Sequence, residues 1–382
     1  MEVKMMKTTV QPIQGMDYLS DLVAAGARFV RLKPNEKVPD AGEGWNDPRN
    51  VERVHAQALQ GIKDGYNIGI LTGAGGIIDI DIDVRVMEAP DTVRRAAADW
   101  VCKYLSLRFG ASASWGRRMG LGDAPTPSHI LYRLVDARRG KTQKLNYLEL
   151  RYKSSGGAYM QSMIPPSIHP DGSALVWLTP PNNLKDVEYE DLERAVRIAD
   201  AVLVLAESYT VGKRHNIVGA LSGWLLRNGW TVDEVAELVK ALCDYTGDSE
   251  FSDRLQFLYD TASKLSSGEP VVGLPTIVGM VGDNIARQLS KSLAVAADTP
   301  SRNGHAPRID GKDEKEAQTR ARLDMLIQRA LEAVDAIYIT QKDKTYVSVN
   351  RRGGRYLLDV QSPNFLVWAK QNLRYFGEPP IS

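Results

Sequence analysis

Apolar and polar positions change period several times along the chain, and those changes mark out its elements. Residues 14–32 read as a short helix running into a strand, Ala27-Arg28-Phe29-Val30-Arg31-Leu32. A proline-held loop, residues 33–39, follows and leads on to Gly44-Trp45. Residues 50–64 carry the spacing of an amphipathic helix, and Asn67-Ile68-Gly69-Ile70-Leu71-Thr72-Gly73 that of a buried strand ending in a glycine turn. Strict alternation then sets in at Ile78-Asp79-Ile80-Asp81-Ile82-Asp83, preceded by Gly73-Ala74-Gly75-Gly76. In a strand, successive side chains point to opposite faces. The three isoleucines therefore enter a core, and the three aspartates share the other face about 7 Å apart. Carboxylates so close repel one another unless something positive lies between them. The alternative is an edge strand with its acids in water.

Helical spacing returns at residues 91–109, with Val93, Ala96, Trp100, Val101 and Tyr104 apolar. Residues 110–126 are rich in glycine and small residues around Trp115, Arg117 and Arg118. They read as a loop able to close over a charged ligand. A strand beginning Pro127-Ser128-His129-Ile130 opens with a histidine, which is either packed in place or part of a site. In the strand Tyr147-Leu148-Glu149-Leu150-Arg151, a carboxylate sits among apolar residues, where burial is expensive without a counter-charge. Either Arg151 or a metal ion supplies that charge. A serine–glycine turn, a strand over residues 159–163 and the rigid segment Ile164-Pro165-Pro166-Ser167-Ile168-His169-Pro170 come next. Ser167 and His169 offer donors to phosphate oxygens, or serve only the turn. A last strand contains Val176-Trp177-Leu178. These elements add up to an α+β domain over residues 1–200, with a central mixed or antiparallel sheet flanked by helices.

From Leu192 onward the texture is helical, and residues 201–290 read as an all-α bundle. One helix opens at Gly212-Lys213-Arg214-His215-Asn216 and stops at Asn228-Gly229, and Thr231 caps the next with acids in its first turn. A third spans residues 248–265, and Gly273-Leu274-Pro275 introduces a fourth. His215 has a packing or DNA-backbone role as its plain alternative to catalysis. Residues 291–316 have linker composition. A helix over 317–333 and a hairpin-like stretch over 336–359 begin a small α+β segment, 317–382, that looks too short to complete a domain. The expectation is a fragment of a longer protein.

Composition narrows the chemistry only slightly. The 382 residues carry a net charge of +1, so any basic surface is local. Two cysteines far apart, Cys102 and Cys243, exclude a disulfide framework and a cysteine-rich zinc module. No apolar run approaches the ~20 residues of a membrane helix, and no signal-peptide core opens the chain. A cytoplasmic protein with no membrane partner is expected. The acidic face itself invites divalent ions, since Mg²⁺ prefers a few carboxylates together with substrate phosphates. Lys37, in its proline-held loop, either touches a phosphate or is simply solvated.

The order of the motifs resembles the archaeo-eukaryotic primase superfamily: an apolar-Asp-x-Asp strand, a strand-opening histidine, then an apolar-acid strand. The first ~200 residues look most like its primase-polymerase branch, found on phages, plasmids and integrated elements, as do Asn67–Gly73 and Pro165–Pro170. The resemblance makes Asp81, Asp83 and Glu149 the catalytic and metal-holding acids. Asp79 is an extra acid where an apolar residue is common, and a further possible ligand. His129 matches the nucleotide-binding histidine, although the family often has serine-any-histidine and here Pro127 takes the serine's place. Arg118, Arg151, Ser167, His169 and Lys37 are the remaining candidates for phosphate or sugar contacts. The helical region resembles the domain that follows such catalytic domains. What the resemblance implies is a DNA primase and polymerase of a replicating mobile element, using two Mg²⁺ or Mn²⁺ ions and no zinc. Its partners would be single-stranded DNA template, primer, dNTP or NTP, and a helicase domain or subunit. No Gly-x-x-x-x-Gly-Lys-Ser/Thr loop occurs in the chain itself. Open alternatives are a metal-dependent nuclease, a non-catalytic replication initiator that binds DNA, and an unrelated Ca²⁺-binding protein.

Overall fold

A computed structural model describes residues 17–118, 124–295, 336–339, 345–351 and 354–359. The chain is α+β, with antiparallel sheets followed by a helical region. In order, the elements are α1 (Asp17–Ala24), β1 (Phe29–Leu32), α2 (Val51–Lys63), β2 (Asn67–Thr72), β3 (Ile77–Ile82) and α3 (Asp91–Phe109). Six strands follow: β4 (Ser114–Arg118), β5 (Thr126–Leu134), β6 (Gln143–Lys144), β7 (Leu148–Arg151), β8 (Met160–Ile164) and β9 (Ala174–Thr179). Then come β10 (Lys185–Val187), α4 (Tyr189–Leu205), α5 (Arg214–Arg227), α6 (Val232–Thr246), α7 (Phe251–Ser266), α8 (Leu274–Val281) and α9 (Asp283–Leu293). A separate unit contains β11 (Ala336–Ile339), β12 (Thr345–Arg351) and β13 (Gly354–Asp359), paired antiparallel in that order. The expected helix over 317–333 and most of the expected linker lie outside the described residues. Among the described residues no helix is long and apolar enough to cross a membrane.

The acidic strand is central. The large sheet runs β6-β7-β3-β5-β4-β9, with β10 joining β5 in parallel, so β3 has neighbours on both sides. An edge strand with solvated acids is therefore ruled out. Alternation sorts the side chains as the sequence requires. Ile78, Ile80 and Ile82 are buried against Val101 and Leu105 of α3 and Leu192 and Val196 of α4. Full burial of such side chains stabilises by ~1.5–3 kcal/mol each. The opposite face, with Ile77, Trp115 and Leu131, closes a second core against Phe29, Ile68 and Ile70 of the small sheet β1-β2-β8. The site occupies the part of that face beyond the core.

The turn into β3 depends on glycine. Gly75 has a φ of 59°, and a β-carbon there would run into the Gly26 carbonyl. Residues 114–118 depart from the expected loop. They form β4, with a register shift at Trp115/Gly116, where a β-carbon on Gly116 would meet the Thr126 carbonyl. Glycine and small residues here mark a bulged strand in close backbone contact rather than a loop.

Helix α4 serves two cores. Leu192, Val196 and Leu203 pack under the sheet, while Ile198, Val202 and Leu205 pack with Leu221, Trp224, Leu238 and Leu242 of the bundle. The expected N-cap of α6 is a capping box: Thr231 Oγ1 accepts from Glu234 N, and Thr231 N donates to Glu234 Oε2 at 2.8 Å. His215 packs against Phe257, with ring centroids 3.8 Å apart and the planes tilted by 34°. Helix α9 extends to Leu293, into the stretch whose composition reads as linker.

Candidate active site

Strand register assembles the site. Asp81 pairs with His129 of β5 on one side and with Glu149 of β7 on the other, and Asp79 pairs with Leu131 and Arg151. Directly opposed residues on one face stand within side-chain contact of each other. Acid, histidine and acid thus come together from residues far apart in the chain. Asp81 and Glu149 remain partly open, at 24% and 18% side-chain exposure. Asp83 follows β3, where its backbone N–H donates to the Tyr147 carbonyl at 2.8 Å. Its carboxylate meets Arg85 at 3.2 Å.

Asp79 differs from the other acids. It is fully buried and accepts a 2.5 Å hydrogen bond from Ser162 Oγ of β8. His129 Nδ1 lies 3.0 Å and 3.2 Å from its two oxygens. With Nδ1–H given to Asp79, the other ring nitrogen, Nε2, stands 3.8 Å from Asp81 Oδ1. Trp115 stacks on the imidazole at 4.6 Å and 11°. The ring is thus held at its edge and on its face. The geometry makes Asp79 an anchor for His129, set behind the open acids.

Arg151 is the cation among the carboxylates. Its Nη1 lies 3.4 Å from Glu149 and 3.7 Å from Asp81, and Nη2 donates to the Gln161 carbonyl at 2.8 Å. Even so, Glu149 keeps a raised pKa, through burial above all, opposed by Arg151 and reinforced by Asp81. Lys37 is exposed as a residue, yet its ammonium pKa is lowered by lost hydration and by Arg117 and Arg85, against the pull of Asp81. Arg117 feels the same surroundings: burial and Arg85 lower its pKa, while Asp171, Asp81 and Asp83 raise it. The wall beside the acids is crowded with positive charge, the condition that favours a polyanionic ligand.

The remaining candidates separate. Arg117 Nη1 lies 3.4 Å from both His169 Nδ1 and Asp171 Oδ2, on the acid side of the sheet. Arg118, the next residue on a strand, takes the opposite direction and shows no contact with the acids. His169 Nδ1 lies 2.8 Å from Asp171 Oδ1 and 3.3 Å from the Asp171 backbone nitrogen, and its Nε2 is buried without a protein partner. Burial above all lowers the His169 pKa, against the hydrogen bond with Asp171 that raises it, with Arg117 and Lys37 adding to the lowering. Ser167 is occupied elsewhere: its Oγ accepts from Ile68 N at 2.9 Å and donates to Ile68 O at 3.1 Å, tying the proline segment to β2. Ser128 is buried, with its hydroxyl 3.4 Å from the Trp115 carbonyl. Arg85 and Ser162 carry no signal in the sequence, and Trp115 and Arg117 enter it only as members of the segment that reads as a ligand-closing loop. Period-2 alternation through residues 114–118 would have revealed Trp115 and Arg117.

The donor set suits a hard divalent cation: carboxylate oxygens from Asp81, Glu149 and Asp83, with phosphate oxygens to complete the shell. Among the described residues, no three acid, histidine or cysteine side chains converge tightly enough to hold an ion as they stand. Arg151 lies between Asp81 and Glu149, and Asp83 turns to Arg85. Filling the site therefore requires these two arginines to give up their carboxylates. The raised Glu149 pKa shows that Arg151 does not fully satisfy the cluster.

The arrangement defines an α+β domain with a histidine–acid–acid centre on the adjacent strands β5, β3 and β7, walled by cations. Residues 19–192 match the family model Prim-Pol, described as bifunctional DNA primase/polymerase, N-terminal, which supports the primase-polymerase branch for this part of the chain. No curated protein matches the chain.

Proposed function

We propose that the chain is a DNA-dependent primase-polymerase, joining nucleoside triphosphates on a single-stranded DNA template in the replication of a mobile element. The observation that carries this reading is the register placing Asp81 between His129 and Glu149, opposite Arg117, Lys37 and Arg151. Asp81, Asp83 and Glu149 would hold Mg²⁺ or Mn²⁺. When bound, such ions make a 3′-hydroxyl more acidic and neutralise charge on the triphosphate and the departing pyrophosphate. Asp79 and Trp115 keep His129 in one orientation, so that its Nε2 edge meets the triphosphate. Arg117 and Lys37 form a second group of phosphate donors, with the buried Nε2 edge of His169 beside them. Arg151 moves from the carboxylates to the incoming anion as the site fills, a short displacement for a guanidinium with a planar fork of donors. Template would lie in the adjoining groove, held chiefly through its phosphates and released by salt. A helicase domain or subunit would open duplex DNA.

The contacts of Arg151 and Arg85 with the acids favour one second reading, a DNA-binding initiator that performs no chemistry. Pyrophosphate release separates the two. The primase-polymerase requires template, nucleoside triphosphate and divalent metal together, and Asp81→Ala abolishes release while DNA stays bound. An initiator releases none, and a nuclease cuts DNA without any triphosphate.

A further inference from the structure

We infer that Asp200, on α4, is a positioning residue for the acidic centre, and that through it the helical region forms part of that centre. The inference rests on the proposed reading of Asp83 and Glu149. Asp200 is fully buried, yet among the described residues no arginine or lysine is paired with it. It accepts five hydrogen bonds instead. Oδ1 receives Tyr147 N at 2.7 Å and Leu148 N at 3.0 Å. Oδ2 receives Asn146 N at 3.2 Å, Asn146 Nδ2 at 2.9 Å and Ser292 Oγ of α9 at 2.6 Å.

What Asp200 grips explains why it is there. Residues 146–148 lead directly into Glu149, and the Tyr147 carbonyl in the same turn accepts from Asp83 N. One buried carboxylate thus fixes the backbone from which two of the three open acids are hung. Hydrogen bonds to a charged acceptor are roughly twice as strong as neutral ones. Helix α9 completes the clamp: Lys291 Nζ donates to the Leu145 carbonyl at 2.7 Å, and Asn146 Nδ2 to the Gln288 carbonyl at 3.0 Å. The turn is held from α4 below and α9 beside it. A carboxylate that must meet a reacting centre tolerates little error, since a misplacement of ~1 Å can cost about a hundredfold in rate.

Asp200→Asn tests this with little change of shape. The amide oxygen can still receive Tyr147 and Leu148, but its NH₂ cannot accept from Asn146 or Ser292. With the full chain, kcat for nucleotide incorporation is expected to fall about tenfold or more. The Mn²⁺ concentration for half-maximal rate is expected to rise about fivefold, with the nucleotide KM and single-stranded DNA binding within about twofold of wild type. Ser292→Ala removes one donor to Asp200, together with the Asn146 Nδ2 contact to the same hydroxyl, and leaves the Lys291 and Gln288 contacts of α9 in place; it should shift both quantities the same way by about two- to threefold, and it decides the matter if Asp200→Asn does not fold. Leu238→Ala, in the bundle core, controls for lost stability and should leave the Mn²⁺ requirement unchanged. An unchanged kcat and Mn²⁺ requirement in the folded variants overturns the inference, as does a matching change in Leu238→Ala. If wild type incorporates no nucleotide, the enzymatic reading fails by itself, and Mn²⁺ binding followed by electron paramagnetic resonance takes over as the readout. Weaker binding in the variants then supports the positioning role; equal binding, or none in wild type, overturns it.

Discussion

Replacing Asp79 tests the division of labour within the acidic strand. Two groups donate to this fully buried carboxylate, Ser162 Oγ and His129 Nδ1. Hydrogen bonds to a charged partner contribute ~1.5–3 kcal/mol each, which gives about 3–6 kcal/mol for Asp79→Ala. Removing one partner of a buried pair costs ~3–5 kcal/mol by a separate route, so about 4 kcal/mol is a consistent expectation. At ~2–4 °C per kcal/mol, the melting midpoint should drop by roughly 8–16 °C. Asp79→Asn keeps the shape and one acceptor and should cost about 1–2 kcal/mol, the worth of one ordinary hydrogen bond. That milder variant is the one for kinetics. With the charged partner of His129 replaced by a neutral amide, the nucleotide KM should rise and kcat/KM fall by about tenfold to a hundredfold, as when partners that orient a metal-bound histidine are lost. The assay is steady-state incorporation over a nucleotide series, repeated across Mn²⁺ concentrations. Asp79 is buried behind His129 rather than open like Asp81 and Glu149, so the Mn²⁺ requirement should not move. Wild-type kinetics in Asp79→Asn would refute the anchoring role; a raised Mn²⁺ requirement at constant KM would make Asp79 a metal ligand.

Three further expectations follow from the same geometry. Burial raises the Glu149 pKa above its ordinary 4.5, so the folded chain binds that proton more tightly than the unfolded one. Its ionisation then costs stability as pH rises through the folded value; Glu149→Gln should melt higher than wild type at neutral pH, by ~2–4 °C for each kcal/mol relieved, gain nothing well below pH 4.5, and lose activity. Arg117→Ala should raise the nucleotide KM about tenfold or more, the loss of a charge-assisted contact of ~1.5–3 kcal/mol, while Arg118→Ala stays within about twofold. Equal effects in an incorporation assay would contradict the assignment of strand faces. Ser167→Ala should lower the denaturant midpoint by the equivalent of about 1–3 kcal/mol, because two buried backbone groups of Ile68 lose their partner. Its nucleotide KM should stay near wild type; a large KM increase at unchanged stability would restore Ser167 to the phosphate site.

Strand β3 was legible because its signal is local: alternation shows which side chains are buried and which face carries the acids. That β3 lies at the middle of the sheet was not legible, since strand order depends on pairings between residues as distant as Asp81 and Glu149. The same limit hid Asp79. Three aspartates at equal spacing look alike in sequence, and only Ser162, from a strand of the other sheet, makes one of them an anchor. Strand β4 was read as a loop because glycine and small residues also occur where a bulged strand meets another backbone closely. That reading put Arg118 forward where the pleat presents Arg117. Ser167 was misleading for a related reason: a hydroxyl in a rigid proline segment serves a phosphate or the neighbouring backbone equally well until its partner is known. Helix signals fared better where they were local, as with the Thr231 capping box. The end of α9 was obscured by polar residues, Ser290 and Ser292, whose hydroxyls are buried and satisfied against α4 and the helix itself.

The central claim is that the acids beside His129 form a nucleotidyl-transfer centre. Incorporation of labelled nucleotide on single-stranded DNA, with and without primer, tests it most directly when wild type is compared with Asp81→Asn and Asp83→Ala in Mg²⁺ and in Mn²⁺. The account predicts template-dependent product from wild type and none from either variant, with DNA still bound by all three. Product from the variants at the wild-type rate, or DNA binding by wild type without any incorporation, would contradict it.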